Sequence, residues 1–348
     1  MTTLYAGQRA LVTGGTGSFG QTMVRRMLAA GITEVRVLSR DEAKHELMRQ
    51  ELGDSRVRFY VGDIRDYLSV ERASRDVELV FHAAALKQVP SCEFFPMEAI
   101  RTNIVGSDNV VRACESNSVG SLVLLSTDKA VYPINAMGMS KAMMEKVALS
   151  HGLNNPNAET IVSCVRYGNV MYSRGSVIPL FIRQLTAGKR MTITHPGMTR
   201  FMMSLAESVD LVEYAFTQAR QGDLFIRKAA ACTIADLVTA LGNLFGIRPE
   251  VEVIGIRHGE KMAESLASRE ELARAKDHGD YFQIPADARD LNYGLYFDEG
   301  NREQARLADY DSHTAVRLDV DGIEKLLLSL PEVHAELTRA GRRRVGAA

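Results

Sequence analysis

Three consecutive residues, Thr127-Asp128-Lys129, bring a hydroxyl, a carboxyl and an amine together directly after a β-rich run, Ser121 to Ser126. A hydroxyl can bond a substrate oxygen, a carboxyl can donate a proton once it holds one, and a neutral amine can remove one. The bland alternative is a helix cap followed by a surface lysine. Ten residues after Thr127, Met137 and Lys141 are spaced i, i+4 at the start of a helix and so share a face. A lysine can hold a charge there, whereas a thioether can neither take nor give a proton.

A second constellation stands near the N-terminus, in Thr13-Gly14-Gly15-Thr16-Gly17-Ser18-Phe19-Gly20. Gly14, Gly17 and Gly20 follow a strand and open a helix, the context that separates a dinucleotide fingerprint from an ordinary glycine-rich turn. Backbone N–H groups at such a helix start can meet a pyrophosphate, with Thr16, Ser18 and Phe19 lining the turn. After the second strand, an acid would accept from a ribose 2′-hydroxyl and repel a 2′-phosphate. This chain has Ser39-Arg40 there, a hydroxyl and a guanidinium suited to phosphate, and Asp41 follows. NADP is therefore the expected cofactor. Asp63, with Ile64 after it, is placed either to accept from an adenine amino group or to cap the next helix. Lys44, Lys87 and the small residues Ala83 and Ala84 complete the expected cofactor lining. His82, beside them, reads as a packed, hydrogen-bonded core histidine.

These residues need a scaffold that brings strand ends together. The first half alternates short β-rich runs with amphipathic segments, the pattern of βαβ units on a parallel sheet. Strands are expected at 9–13, 35–38, 57–61, 77–81 and 121–126, with helices at 21–30, after residue 40 through 52, and at 97–114. The expected fold class is α/β, a Rossmann-type doubly wound parallel sheet with a smaller C-terminal substrate-binding region. Residues 1–170 form the NADP-binding domain, to which about 201–227 return, with a further strand at 223–227. Residues 171–200 and 228–330 form the substrate-binding region, including a helix at 233–245 capped by Thr233. Residues 331–348 are a C-terminal tail, with the basic cluster Arg342-Arg343-Arg344 as its frayed end.

Composition excludes several classes. Of 348 residues, 46% are hydrophobic and 24% charged, as in ordinary globular proteins, and the formal net charge of -1 gives no reason to expect nucleic acid. No apolar run nears the ~18 residues of a membrane span, and no secretory leader opens the chain, so a cytoplasmic protein without membrane insertion is expected. The four cysteines, Cys92, Cys114, Cys164 and Cys232, include no CxxC pair. Neither a disulfide framework nor a metal site is expected, and Cys92 alone looks less than purely structural.

Later motifs are more specific than the glycine turn. They are Ala83-Ala84-Ala85-Leu86-Lys87-Gln88-Val89-Pro90, Leu125-Ser126-Thr127-Asp128-Lys129-Ala130 and Arg166-Tyr167-Gly168-Asn169-Val170. Met198-Thr199-Arg200-Phe201 and Arg257-His258-Gly259-Glu260-Lys261 follow. With these the chain resembles, over nearly its whole length, the extended short-chain dehydrogenases/reductases. The particular likeness is to the inverting UDP-N-acetylglucosamine 4,6-dehydratases (5-epimerases) of capsule, O-antigen and flagellin-sugar synthesis. The resemblance implies Lys129 as the C5 base, Asp128 as the C6 acid, Thr127 at the C4 oxygen and Lys141 at the nicotinamide ribose. It implies that Lys87, Asn169, Arg200, Arg257 and Glu260 hold the UDP-sugar, that UDP-N-acetylglucosamine is the substrate, and that the protein is a homo-oligomer, a hexamer in relatives. Met137 occupies the superfamily's catalytic tyrosine position, which leaves Thr127, Lys129 or a water linked to Lys141 to deprotonate the C4 hydroxyl. A UDP-hexose 4-epimerase is the runner-up, and a non-catalytic NADP-sensing protein a third reading favoured by Met137 alone.

Overall fold

The computed structural model describes residues 4–155, 157–173, 175–286 and 308–341, which fall into two units. In the first unit, β1 (Arg9–Thr13), β2 (Glu34–Ser39), β3 (Val57–Val61), β4 (Leu79–His82), β5 (Ser121–Leu125) and β6 (Ile161–Arg166) lie parallel. Leu224–Arg227 adds to β6 in parallel, and Tyr281–Ile284 and Lys276–Asp277 close that edge antiparallel. From this edge the order runs Lys276–Asp277, Tyr281–Ile284, Leu224–Arg227, β6, β5, β4, β1, β2, β3. All five residues of β5 are buried, as befits a parallel strand covered on both faces. The sheet is Rossmann-type, and the chain reverses direction across it between β1 and β4, the switch point where such sheets open a ligand crevice.

Helices supply the cover. On α1 (Ser18–Ala29), Met23, Val24 and Met27 face the sheet beneath, and α2 (Glu42–Leu52) and α3 (Tyr67–Ser74) follow. Next come α4 (Val89–Phe94) and α5 (Pro96–Ala99), then a π-helical turn at Ile100–Val105, α6 (Gly106–Ser116) and α7 (Ala136–Asn154). The core includes Val12, Phe81, Val123, Val165 and Phe225.

Among the described residues the second unit comprises Gly168–Ser204, Ala229–Ser265 and 310–341. Its core packs Phe181, Ile182, Leu241, Phe245, Ile323, Leu327, Val333 and Leu337 from four helices. Thr233 caps the Ile234–Phe245 helix by accepting from Asp236 N at 3.0 Å, as its position suggests.

Several expectations need correction. The strand at Ile161–Arg166 is missing from the expected elements, although Ile161, Val162 and Val165 form a β-rich run after a polar loop. The helix expected at 97–114 is interrupted by a π turn. The divisions at 170, 201–227 and 228–330 also shift. Residues 266–286 belong to the first unit, where Tyr281–Ile284 extends the large sheet, and Phe201 belongs to the second, where Thr199–Phe201 pairs with Ala231–Thr233. Residues 331–339 are no tail. They form a helix whose Val333 and Leu337 are buried in the second unit's core. Arg342-Arg343-Arg344 lies outside the described residues.

Candidate functional site

The glycine turn is built for close approach. Gly14 sits at φ +69°, and a Cβ there would come within 2.8 Å of the Ala84 backbone nitrogen. A Cβ on Gly20 would meet Gly15 Cα at 2.5 Å, so helix and turn touch backbone to backbone. Gly17 caps α1 without a side-chain acceptor, leaving the helix N–H groups to the positive end of the dipole. This arrangement fits a dinucleotide pyrophosphate. Thr13 Oγ1 accepts from Ala84 N at 3.3 Å, and Thr13 Oγ1 and His82 Nδ1 lie 2.6 Å apart, which ties the turn to the end of β4. His82 is fully buried, with Nε2 2.9 Å from Ser107 Oγ, and burial together with the Lys141 charge lowers its pKa to about 3. It is the neutral core histidine its context suggests.

At the end of β2, Thr16 Oγ1 donates to Ser39 Oγ at 3.2 Å, and Ser39 Oγ lies 2.8 Å from His45 Nε2. Sequence reasoning missed His45, which is buried and held neutral by burial and the Arg49 charge. Asp41, the acid that could have marked a ribose 2′-hydroxyl, is engaged elsewhere. It caps α2 by accepting from Lys44 N at 3.0 Å and pairs with the Lys44 amine. The Arg40 side chain is 56% exposed and lies 3.5 Å from Asp63. Asp63 caps no helix. It receives Arg65, whose hydrogen bonds outweigh burial and hold the carboxyl below its usual range, while Asp66 caps α3. Ile64 is buried, and an added Cβ on Gly106 would strike its side chain at 2.8 Å.

At the carboxyl end of β5, Thr127 caps a short 3₁₀ segment, Asp128–Ala130, its Oγ1 accepting from Lys129 N at 3.4 Å. Backbone bonds fix it to β6, from Ser126 N to Val165 O at 2.7 Å and from Asp128 N to Tyr167 O at 3.1 Å. Thr127 Oγ1 donates to Asp128 Oδ1 at 2.8 Å, and Lys129 Nζ donates to the same oxygen at 3.0 Å. Asp128 is 1% exposed, and its second oxygen, Oδ2, has no hydrogen-bond partner among the described residues. Tyr167 stacks on Phe19 of the glycine turn, and burial and the Asp128 charge push its phenol well above the usual range.

Helix α7 is docked against this turn. Its cap Asn135 accepts from Gly138 N at 2.8 Å, and Ala136 N donates to Glu93 Oε1 at 2.6 Å. Met137 is buried and packs with Cys92 and Ala99, so Cys92 is a packing residue. Lys141 is also buried. Its amine donates to Leu125 O at 2.6 Å, and burial lowers its pKa to about 8. Sequence reasoning missed Asn103 in the π turn. It clamps Leu86 by both backbone groups, at 2.8 and 3.0 Å, and donates to Ser140 Oγ at 2.9 Å. The available signal is its i, i+4 spacing to Ser107, whose hydroxyl donates to Asn103 O at 2.7 Å. Arg166 is an anchor within the sheet unit. It makes paired bonds to Glu145 of α7 at 2.8 and 2.6 Å and to Glu271 at 2.7 and 2.8 Å. Lys87 is exposed.

In the second unit, the Asn169 Oδ1 is buried and has no hydrogen-bond partner among the described residues. Arg200 donates to Thr199 O at 2.7 Å, and Arg257 pairs with Glu260 at 2.9 Å. Among the described residues no helix is long and apolar enough to cross a membrane.

Comparison with known proteins adds a family. A family model described as Polysaccharide biosynthesis protein matches residues 10–286, and one described as Polysaccharide biosynthesis protein C-terminal matches residues 287–334. The UDP-glucose 4-epimerase of Rickettsia felis is 53% identical over 341 residues, covering 97% of this chain and 100% of its own length. The crystal structure of Pen from Bacillus thuringiensis superposes with a TM-score of 0.85 at 33% identity, over 94% of this chain and 100% of that one. The dTDP-glucose 4,6-dehydratase of Streptomyces venezuelae, solved with NAD bound, shares the fold. Its TM-score is 0.66 at 24% identity, over 73% of this chain and 86% of that one.

Proposed function

This chain belongs to the polysaccharide biosynthesis protein family of extended short-chain dehydrogenases/reductases, and from that premise we propose that it is an NADP-dependent UDP-N-acetylglucosamine 4,6-dehydratase that inverts C5. The observation that carries this reading is the Thr127-Asp128-Lys129 turn, where a hydroxyl and an amine meet on one buried carboxylate oxygen. Dehydration needs an acid for the departing C6 hydroxyl and a base for the C5 proton, and this turn holds both types. A bound nicotinamide would supply the hydride chemistry, accepting from and returning to the sugar.

The residues divide the remaining work. Gly14, Gly17 and Gly20, with Thr16, Ser18 and Phe19, cradle the pyrophosphate; Ser39 and Arg40, flanked by Lys44, meet the 2′-phosphate. The engagement of Asp41 as a helix cap supports NADP over NAD. Asp63 and Ile64 border the adenine, and Ala83 and Ala84 leave room beside the dinucleotide. Lys141 binds the nicotinamide ribose. Lys129 removes H5 as a neutral amine and Asp128 protonates the C6 leaving group. Lys87 is our candidate in the first unit for the sugar nucleotide, and Asn169, Arg200, Arg257 and Glu260 are our candidates in the second. We read the working protein as a cytoplasmic homo-oligomer.

A second reading, a UDP-hexose 4-epimerase, is favoured by the name its Rickettsia relative carries. Heavy water separates the two. The dehydratase gives a UDP-linked 4-keto-6-deoxy-N-acetylhexosamine with deuterium at C5, one substrate-derived hydrogen at C6 and L-arabino couplings. Lys129→Ala abolishes that product while cofactor binding persists. UDP-N-acetylgalactosamine without deuterium would sink the dehydratase in favour of the epimerase.

A further inference from the structure

On α2 the buried residues are His45 and Met48, and the function derived above uses neither. The His45 ring lies 5.3 Å from that of Phe59, centroid to centroid, and burial and the Arg49 charge hold it neutral. A neutral imidazole carries one proton, on one of its two nitrogens. Nε2 lies 2.8 Å from Ser39 Oγ, whereas Nδ1 is buried and has no hydrogen-bond partner among the described residues. A proton on Nδ1 would be an orphaned buried donor. A proton on Nε2 leaves only a bare lone pair at Nδ1, and protein interiors tolerate an unfilled acceptor better than an unpaired N–H. The proton therefore belongs on Nε2, which donates to Ser39 Oγ. Thr16 Oγ1 donates to the same oxygen at 3.2 Å. A hydroxyl has two lone pairs and one proton, so with both lone pairs taken Ser39 has only its proton to give. Ser39 is part-exposed, and that proton is offered outward beside the glycine turn that carries Thr16.

We propose that His45 is a positioning residue for cofactor choice, fixing the Ser39 hydroxyl as an obligate donor and so favouring the oxygens of a 2′-phosphate over a ribose 2′-hydroxyl. This rests on the NADP reading above and is independent of which sugar reaction follows. Phosphate oxygens only accept, and a hydrogen bond to an anion is roughly twice as strong as one to a neutral oxygen. The chain from the imidazole N–H through the Ser39 hydroxyl points its donors one way, and each bond in such a chain polarises the next. Without the imidazole proton, one lone pair of Ser39 Oγ is open. The serine then accepts from a ribose 2′-hydroxyl as readily as it donates to a phosphate, and the discrimination falls. In this division of labour Arg40 supplies the charge that attracts a phosphate, and His45, from beneath, supplies the direction of the neighbouring hydroxyl.

Dissociation constants for NADP and NAD on the full chain supply the test. His45→Phe keeps a ring but carries no N–H, and it is expected to weaken NADP about tenfold and to leave NAD within about twofold of wild type. His45→Gln, whose amide donates from a similar reach, is expected to restore most of the preference. In a Ser39→Ala background His45→Phe is expected to add nothing, because the hydroxyl it directs is gone. Equal weakening of both dinucleotides by His45→Phe, or its full effect persisting without Ser39, would make His45 a packing residue and end its role in cofactor choice. A second measurement reads the proton itself. In wild-type protein with isotope-labelled histidine nitrogens, the resonances that disappear in His45→Gln are expected to report an Nε2–H tautomer at near-neutral pH. An Nδ1–H tautomer would overturn the assignment even if His45→Phe failed to fold. Wild-type protein that binds NAD more tightly than NADP would end the NADP reading and the role of His45 together, whereas an NADP preference unmoved by His45→Phe would end the role of His45 alone.

Discussion

A Cβ placed on Gly138 would lie 2.2 Å from the carbonyl oxygen of Lys129. The first turn of α7 therefore rests directly on the backbone that carries the Thr127-Asp128-Lys129 chemistry. The obstacle is main chain, which cannot rotate aside as a side chain can. Gly138→Ala is expected to destabilise the fold by roughly 1–3 kcal/mol through overpacking and to lower turnover far more than that loss of folded protein explains. Urea unfolding and steady-state kinetics on the same preparation check it; an active, equally stable variant would show that α7 can move away freely.

Arg166 concerns the other side of α7. Its guanidinium is buried between Glu145 and Glu271, so each partner left alone becomes an uncompensated charge. Arg166→Met is expected to cost about 3–5 kcal/mol, read as a fall in denaturant midpoint. Glu145→Gln, which keeps hydrogen-bonding capacity and leaves Glu271 as counter-charge, is expected to cost less. Equal stability of Arg166→Met and wild type would mean that the network is weaker than its bidentate geometry implies.

The pH dependence of stability reports on Lys141. Its folded pKa of about 8 lies below the ordinary 10.5, so between these values the unfolded chain holds a proton that the fold lacks. Stability therefore rises with pH across that window, and the penalty is present in full below about 8. Lys141→Met removes the titrating group. The unfolding free energy of wild type relative to this variant should climb between about pH 8 and 10, by up to about 1.4 kcal/mol per pH unit. A difference that stays flat across the window would refute a depressed Lys141.

Arg40 is the exposed cation that follows β2, with Asp63 at 3.5 Å. Acid release of ligand from the purified protein, followed by mass spectrometry, is expected to show NADP(H). Arg40→Ala should weaken NADP binding about tenfold, or ~1.4 kcal/mol, and leave NAD nearly unchanged. Recovery of NAD alone, together with unaltered affinities in the variant, would remove the 2′-phosphate assignment.

The sequence by itself determined the elements whose signals are local. A glycine turn between a strand and a helix, alternating β-rich and amphipathic segments, and a hydroxyl-acid-amine triplet after a strand are all short-range patterns. The structure places β1 and β3 at the expected residues, 9–13 and 57–61. Only tertiary structure decided what depends on distant partners. Asp41 becomes a helix cap, Asp63 a seat for Arg65, and Arg166, part of a motif that carries the family resemblance, an anchor for α7. His45 and Asn103 gained their contacts through packing onto residues that no spacing rule connects to them. The same holds for the chain's last helix, 331–339, whose apolar residues Val333 and Leu337 have a face to bury only because three other helices of its unit come to meet it. Hydrogen-bond direction at Thr127 follows from residue chemistry, but its reach to Asp128 Oδ1 is set by the 3₁₀ turn that β6 holds in place through Val165 and Tyr167.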